Sequence, residues 1–148
     1  MLMFPTKVDA WFMLLFYGGS LLLLAGAFLV WKRSKPGALI MGAVGVLFFG
    51  VSYSGQSIKY EVREDGALVF HGGLAPGGVL LNAHDVMRVE PSDDTSKAPA
   101  LSFDRLKIST RGSGAVLVSP EDKAGFMDAL AARDPALKRS GDTLVRAP

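Results

Sequence analysis

The chain has 148 residues, of which 49% are hydrophobic and 20% charged, and its formal net charge is +2. Low charge and abundant apolar residues exclude intrinsic disorder, and the absence of cysteine excludes a disulfide framework, a thiolate zinc site and a cysteine nucleophile. Residues 1–58 carry four basic residues and one acidic residue, whereas residues 59–148 carry the other 12 basic and 13 acidic residues. The net positive charge therefore belongs to the apolar part of the chain, which argues against nucleic acid as a partner.

The first predicted element is a membrane-spanning helical hairpin that occupies residues 1–56. Residues 10–31 carry no charge, and at about 1.5 Å per residue they form a helix about 33 Å long, enough to cross a hydrocarbon core of about 30 Å. A second charge-free stretch predicts a second span over residues 38–54. Two buried helices of a soluble core are disfavoured because the chain is too short to cover both. A cleaved signal peptide is disfavoured because the apolar run continues beyond the small residues at 25–27.

Small residues on the second span predict how the two spans pack. Ala38, Gly42 and Gly45 recur on one face, and without bulky side chains two helix backbones can approach closely in lipid. The alternative is that these residues reflect only the general frequency of glycine in membrane helices. Trp11 and Trp31 stand at the two ends of the first span, where amphipathic aromatic rings prefer the headgroup level. Homo-oligomerisation through the hairpin is compatible with this pattern.

The basic residues that flank the spans favour an extracytoplasmic domain in a multi-pass protein of the cytoplasmic membrane. The six-residue link at 32–37 contains three basic residues, which favours a cytoplasmic link and leaves both termini on the outer side. Lys7, Lys59 and Arg63 lie close to the opposite ends of the spans and favour the reverse arrangement. Because three basic residues are concentrated in the six-residue link, we expect the link to be cytoplasmic and the domain to be extracytoplasmic.

Residues 57–134 are predicted to form a soluble domain of short antiparallel strands followed by one helix. Ile58, Tyr60 and Val62 alternate with charged residues, as in a half-buried strand, and Asp65-Gly66 predicts a hairpin turn. Further strands are predicted at residues 67–72, 79–81, 86–89, 101–110 and 115–118, the fourth of these with a bulge or break at Asp104-Arg105.

The hydrophobic period then changes to that of a helix. Ser119 is the predicted N-cap and Pro120 the first helical residue, while Asp134-Pro135 ends the helix because a residue before proline avoids the helical region. Residues 135–148 are predicted to be a flexible tail. Ninety residues suffice for the strand domain to fold alone, with a predicted core of Phe70, Leu101, Phe103, Leu106, Ile108, Val116, Val118, Phe126 and Leu130.

Three segments resemble a bacterial PH-like family of small two-span membrane proteins of unknown function, within the pleckstrin-homology superfold. They are FPTKVDAWF at residues 4–12, APALSFDRLKI at residues 98–108 and VLVSPEDKAGFMDAL at residues 116–130. The middle segment is similar to an S-P-A-L-S-x-D-R-L motif, from which it departs at Ala98, where family members more often have Ser. The resemblance implies an α+β fold: a two-helix transmembrane hairpin, then a small antiparallel PH-like β-barrel or half-barrel with a C-terminal helix. It implies no particular ligand or activity.

No residue is predicted to be catalytic, to bind a cofactor or to ligate a metal. His71 and His84 lie on different segments without a third obvious ligand, and a metal site needs three or four. The adjacent carboxylates of Asp93 and Asp94 are typical of a solvated loop. The glycine-rich residues 72–78 lack the lysine and the following helix of a phosphate-binding loop. The sequence therefore indicates a protein that is not an enzyme.

Asp104 and Arg105 are the candidate interaction surface, because they fall at a strand irregularity inside the family-like motif. Either they form a recognition surface, or Asp104 caps backbone N–H groups and Arg105 pairs across the barrel. The predicted function is a membrane-anchored module that binds a protein or peptide partner, for instance along a strand edge. Lipid or headgroup sensing is the alternative. Phosphoinositide binding is disfavoured, because the first hairpin, residues 59–66, carries three acids and two bases.

Overall fold

Two long apolar helices open the computed structural model, which describes residues 2–73, 77–94, 102–112 and 114–147. Helix α1 (Ala10–Val30) and helix α2 (Lys35–Gln56) have mean hydropathies of 2.1 and 1.7, and both are long and apolar enough to cross a membrane. Only 6% and 17% of their most apolar windows are buried, whereas the core helix of a soluble protein is mostly buried. Ser34 caps α2 by accepting a hydrogen bond from the backbone N–H of Gly37 at 3.3 Å.

The two helices pack against each other along the face of α2 that contains Ala38, Gly42 and Gly45. Ala38 and Gly45 are buried, and the Ser20 hydroxyl of α1 donates a hydrogen bond to the Gly45 carbonyl at 2.8 Å. A Cβ atom added at Gly45 would lie 3.1 Å from Leu24 Cγ, so a larger side chain there would push the helices apart. These contacts place Gly45, one of the three predicted seam residues, against α1.

A disulfide provides a direct check of this hairpin. An ideal Cβ atom at Gly42 would lie 3.9 Å from the Cβ of Ala27, within the separation of about 3.5–4.5 Å that a disulfide requires. We expect the double variant Ala27→Cys, Gly42→Cys to form an intrachain disulfide on mild oxidation, detected as a mobility shift that reductant reverses. Gly18→Cys paired with Gly42→Cys is the matched control, because a Cβ at Gly18 has no neighbour within 4 Å outside its own helix. Equal oxidation of the two pairs would contradict the helix packing.

In the part of the chain that the structure describes, nine short strands form two antiparallel sheets. The first sheet has the order β1-β2-β3-β4 and the second the order β7-β6-β5-β9-β8. In the first sheet the strands are β1 (Leu2–Pro5), β2 (Lys59–Val62), β3 (Ala67–His71) and β4 (Gly78–Asn82). In the second they are β5 (Val86–Ser92), β6 (Arg105–Thr110), β7 (Ala115–Val118), β8 (Leu137–Ser140) and β9 (Thr143–Arg146). A one-turn 3₁₀ helix (Ala83–Asp85) links the sheets, and helix α3 (Lys123–Arg133) follows β7.

The N-terminal strand, which precedes the hairpin, belongs to the domain that follows the hairpin in sequence. Strand β1 pairs with β2, and Phe4 lies opposite Tyr60. Immediately after it, the N–H of Lys7 donates to the carbonyl of Ser119 at 2.7 Å, and the N–H of Glu121 donates to the carbonyl of Pro5 at 2.9 Å. The N-terminal segment thereby connects the first sheet to the end of the second. The predicted start of the domain at residue 57 is corrected accordingly, since its first sheet also contains residues 2–5.

The C-terminal part departs from prediction at two places. Helix α3 begins at Lys123, three residues later than predicted, because the backbones of Ser119 and Glu121 are hydrogen-bonded to the N-terminal segment. The N-cap is Asp122, whose side chain accepts a hydrogen bond from the Gly125 N–H at 2.8 Å. The helix ends at Arg133, as predicted from Asp134-Pro135. The tail predicted to be flexible instead forms the β8–β9 hairpin, which turns at Gly141 with φ +60°. Strand β9 pairs with β5, so the tail is part of the second sheet.

The core lies between the two sheets and under α3. The predicted members Leu106, Ile108, Val118, Phe126 and Leu130 are buried, and Phe70 and Val116 pack against them. Leu101 lies outside the described residues. Phe103 is a wrong prediction: it precedes β6, which begins at Arg105, and its side chain is 51% exposed. The predicted irregularity at Asp104-Arg105 corresponds to the start of this strand.

The strands run alternately away from the hairpin and back toward it. Strand β2 starts at Lys59, just after α2, so its far end and the turn at residues 63–66 point away from the hairpin. Antiparallel pairing returns His71 to a position opposite Lys59. We call the end of the domain at α1 and α2 the proximal end, and the end at residues 63–66 the distal end.

Candidate functional site

The hairpin meets the strand domain in a cluster of polar and aromatic side chains that we call the proximal junction. Its members come from the segment that enters α1, from the link before β6 and from the first turn of α3. They are Lys7, Asp9, Trp11, Ser102, Phe103, Asp104 and Lys123.

Asp9 ties the first turn of α1 to the strand domain. Its backbone carbonyl accepts from Phe12 N–H at 3.0 Å, so the residue occupies the N-cap position of α1. Its carboxylate accepts instead from the Ser102 hydroxyl at 2.8 Å and from the Phe103 N–H at 3.0 Å. Burial alone would raise the pKa of this carboxyl, but the hydrogen bonds from Phe103, Ser102 and Trp11 outweigh it and hold the pKa below its usual value. Asp9 is therefore charged at neutral pH while it bridges the two parts.

Asp104 bridges two lysines that lie far apart in sequence. Its carboxylate pairs with Lys123 of α3 and, at 2.7 Å, with Lys7 of the N-terminal segment. The hydrogen bonds from Lys123 and then Lys7 lower the pKa of Asp104, and the bond to Asp104 raises the pKa of Lys7. Because Asp104 is half exposed, solvent screens these pairs and they orient the segments more than they stabilise them.

Arg105 has a different environment from Asp104, although the two are adjacent. It is 7% exposed, and its guanidinium donates to the carbonyl of Ser102 at 2.7 Å and to the carbonyl of Asp94 at 3.0 Å. Its charge is thus directed at backbone carbonyls near the ends of β5 and β6. Of the predicted interaction pair, Asp104 is accessible to a partner and the side chain of Arg105 is not.

An aromatic pair completes the proximal junction. The rings of Trp11 and Phe103 stack with centroids 5.3 Å apart and an interplanar angle of 12°. Both side chains are about half exposed, and Trp11 also meets Phe12 edge-on. Sequence reasoning treated Trp11 as a span end and Phe103 as core, so it missed their contact.

Comparison with known families identifies the strand domain. Residues 58–134 match the Bacterial PH domain family. The chain belongs to this family. No curated protein and no solved structure matches the chain. The matched segment contains strands β2 to β7 and helix α3 of the bacterial PH domain, whereas β1, β8 and β9 lie outside it.

The first hairpin of the bacterial PH domain, between β2 and β3, carries three acids and two bases over residues 59–66, and its Glu61 contacts both Arg63 and His71. Glu61 accepts from Arg63 at 3.3 Å and contacts His71 Nε2 at 2.5 Å. The hydrogen bond to His71 is the main reason that the pKa of Glu61 lies below its usual value, with a further contribution from Arg63. Glu64 and Asp65 follow in the turn, so a polyphosphate headgroup would meet acids beside each base.

A second polar cluster lies at the distal end of the bacterial PH domain. Asp134 accepts from Arg146 Nη2 at 2.6 Å and lies 3.3 Å from His84 Nδ1. The same guanidinium donates to the carbonyls of Val86, Ala83 and His84 at 2.8–3.2 Å. The hydrogen bond from Arg146, followed by that from Ala136 N–H, lowers the pKa of Asp134. This cluster ties the end of α3 and strand β9 to the linker between the sheets.

The described residues offer no cluster of three or more His, Asp or Glu side chains that could hold a metal ion. The two histidines lie at opposite ends of the bacterial PH domain, each beside a carboxylate. A groove of about 370 Å³ lies between α3 and the β8–β9 turn. Two of its cations are paired, Lys123 with Asp104 and Arg139 with Asp128, so its rim is charge-compensated.

Each sheet has two edge strands, and two of these edges, β4 and β8, differ in character. Strand β4 is the last strand of the first sheet, and Val79 on it is 66% exposed. Strand β8 is the last strand of the second sheet; it presents exposed Lys138 and Arg139, the latter bonded to Asp128 of α3. The edge at β4 is therefore apolar and the edge at β8 is basic.

Proposed function

We propose that the chain is a membrane-anchored interaction module in which the bacterial PH domain binds a protein or peptide partner at the membrane surface. The observation that carries this proposal is the β4 edge, which ends the first sheet and has an exposed valine as its second residue. An edge strand presents backbone N–H and C=O groups that can pair with an added strand. The two apolar helices would hold that edge beside the bilayer.

The β4 edge suits a partner strand better than the β8 edge does. Charged side chains on an edge strand discourage pairing, and β8 carries Lys138 and Arg139. On β4, Val79 is exposed while Leu81 is buried in the core, because the pairing with β3 skips Leu80 between them. An added strand would therefore meet one exposed apolar side chain beside backbone groups. A short extended peptide with a complementary apolar side chain fits this chemistry.

The proposed activity is non-catalytic. PH domains are typically interaction modules, and the perturbed carboxyl groups of this chain, Asp9, Glu61, Asp104 and Asp134, are each held by hydrogen-bond or ion-pair partners. Such lowered pKa values keep a carboxylate charged and bonded; they do not poise it to exchange protons near neutral pH. These groups are accounted for by structural contacts.

Lipid or headgroup sensing is the second candidate function. The exposed Trp11–Phe103 pair beside the start of α1 favours contact with a membrane, whereas the excess of acids over bases in the β2–β3 hairpin disfavours polyphosphate headgroups. Selective binding of the protein to vesicles of one headgroup class, without any protein partner, would support this candidate over the first.

We place the domain on the extracytoplasmic side of the cytoplasmic membrane. Lys32, Arg33 and Lys35 lie in or beside the link between the helices, and basic links are retained in the cytoplasm. Residues 2–5 and the domain after α2 share one sheet, which agrees with a hairpin that returns to the side where it started. The bilayer and a protein are the proposed partners, and association of hairpins into homo-oligomers is compatible with the exposed faces of both helices.

Photo-crosslinking in intact cells tests the proposed function. We expect p-benzoylphenylalanine at position 79 to give a discrete protein adduct, and the same group at Val145, exposed on the inner strand β9, to give none. With the crosslinker moved to Leu80, which is partly exposed on the same edge strand, Val79→Lys should abolish the adduct, because a charge on the edge opposes strand addition.

The same crosslinked cells test the orientation. Protease added outside the cells, with any outer envelope permeabilised, should degrade the adduct formed from position 79. Identical adducts from positions 79 and 145 would refute the edge as the binding site, and protection from protease would reverse the orientation.

A further inference from the structure

Phe103 is an apolar side chain that the fold turns outward within a segment that also contains two buried residues. Ser102, which precedes it, and Arg105, two residues after it, are 3% and 7% exposed, whereas Phe103 is 51% exposed. The backbone around it is held, since its N–H donates to the Asp9 carboxylate and Ser102 donates to the same group. The exposure of this ring is thus a fixed feature of the fold.

The level of Phe103 along the hairpin follows from its contact with Trp11. Trp11 is the second residue of α1, and it lies about 30 Å along the helix axis from Trp31 at the other end. That separation equals the thickness of a hydrocarbon core, so a spanning α1 places both tryptophans at the headgroup levels. Phe103 stacks on Trp11 with ring centroids 5.3 Å apart and therefore lies at the same level.

Contacts in the proximal junction hold the segment that carries Phe103 against the start of α1. Asp9 holds Ser102 and Phe103, and Lys7 holds Asp104, on the residues that lead directly into α1. Strand β1, which precedes these residues, is itself part of the first sheet. The domain is consequently attached at both ends of the hairpin, by β1 and by β2, and not by a single flexible linker.

We propose that Phe103 and Trp11 together insert into the headgroup layer and seat the bacterial PH domain directly on the bilayer that its hairpin spans. The partner of this surface is the lipid interface. Aromatic rings are favoured at that depth. In water the outer faces of the stacked pair would stay exposed, whereas the headgroup layer would bury them. In this arrangement the turn at residues 63–66 and the 3₁₀ helix point away from the membrane. The β4 strand then runs from the membrane surface toward the distal end of the domain. This inference rests on the proposed membrane anchoring.

Tryptophan fluorescence in reconstituted vesicles tests the seat. The chain has two tryptophans, so Trp11→Phe, Trp31→Phe, Phe103→Trp leaves a single reporter at the seat, with the aromatic stack retained. We expect its emission to be quenched by phosphatidylcholine brominated high on the acyl chain and protected from acrylamide. A matched reporter at the distal end, Arg111→Trp in the Trp11→Phe, Trp31→Phe background, should show the opposite pattern, because Arg111 is exposed in the turn after β6.

A third reporter separates failure of the seat from failure of the anchor. The variant Trp11→Phe retains Trp31 alone, and insertion of the hairpin requires that brominated lipid quench it. Quenching of Trp31 without quenching at position 103 would overturn the seat and leave the anchor intact, whereas quenching at neither position would overturn both. Since the chain is free of cysteine, Phe103→Cys carrying a nitroxide gives a second depth measurement by oxygen accessibility, and a water-exposed label would likewise overturn the seat.

Discussion

Although about ninety residues would suffice by length and include the whole family match, a fragment of residues 57–148 is expected to be unfolded, or at most marginally folded. It lacks β1, whose Phe4 is 9% exposed and packs edge-to-face on Phe126 with ring centroids 5.5 Å apart. Removing a buried phenylalanine costs about 3–5 kcal/mol, and each lost ladder hydrogen bond costs about 1 kcal/mol more. A small domain has about 5–15 kcal/mol of total stability. The loss is therefore comparable to the whole.

The matched control restores the missing strand without the helices. A fusion of residues 2–9, a flexible Gly/Ser linker and residues 57–148 should recover a cooperative urea transition by circular dichroism. The same fusion with Phe4→Ala should unfold at lower urea, by about 3 kcal/mol or more. If the fragment of residues 57–148 gave the same transition as the fusion, β1 would be dispensable and the domain would begin at β2.

Replacing Arg146 by alanine is expected to destabilise the domain by about 3 kcal/mol. Its side chain and that of Asp134 are 12% and 8% exposed, and removing Arg146 leaves the buried Asp134 carboxylate with only the Ala136 N–H and the His84 ring as partners. Three backbone carbonyls lose a donor as well. The measurement is the urea midpoint of the fusion described above. Arg139→Ala, which breaks the exposed pair with Asp128, should cost less than about 1 kcal/mol, and equal effects of the two substitutions would contradict the difference in burial.

The pH dependence of the Arg146 effect has a definite sign. The folded pKa of Asp134 lies below its ordinary value of about 3.9. A lowered pKa contributes stability that is fully present above the unfolded pKa and is lost as the pH falls through the folded pKa. The stability difference between the parent protein and Arg146→Ala should therefore be largest near neutral pH and shrink below about pH 4. Comparing the two proteins cancels the similar contributions of Asp9 and Asp104. A difference that grew on acidification would mean that Arg146 acts through another group.

Much of the fold could be predicted because the signals are local. The apolar runs of α1 and α2, the strand around Tyr60 and the stop at Asp134-Pro135 each depend on residues within a few positions of one another, although the strand predicted to be half-buried also buries Glu61. Family resemblance added the PH-like topology, which the match over residues 58–134 confirms. The start of α3 was misplaced because backbone pairing with the distant N-terminal segment competes with the local capping signal of Ser119.

The candidate site depended much more on tertiary structure. Asp104 stood out in sequence, but its lysine partners come from positions 7 and 123, and Asp9 reaches Ser102 across 93 residues. A signal for this junction existed in the single acid that precedes α1 and in the segment SFDRL, although neither identified the other as its partner. The buried position of Arg105 likewise follows from carbonyl groups that only the folded loop brings together.

The sequence by itself determined that two apolar helices precede a strand-rich domain with one capped helix, because hydropathy and turn chemistry are read from neighbouring residues. Only the tertiary structure decided that LMFP is a strand, that the C-terminal tail completes the second sheet, and that Phe103 leaves the core to stack on Trp11. Four-residue strands carry too short a pattern to show a period, and their stability comes from partners distant in the chain. The same non-local pairing joins the domain to the hairpin and so determines how it would stand at a membrane.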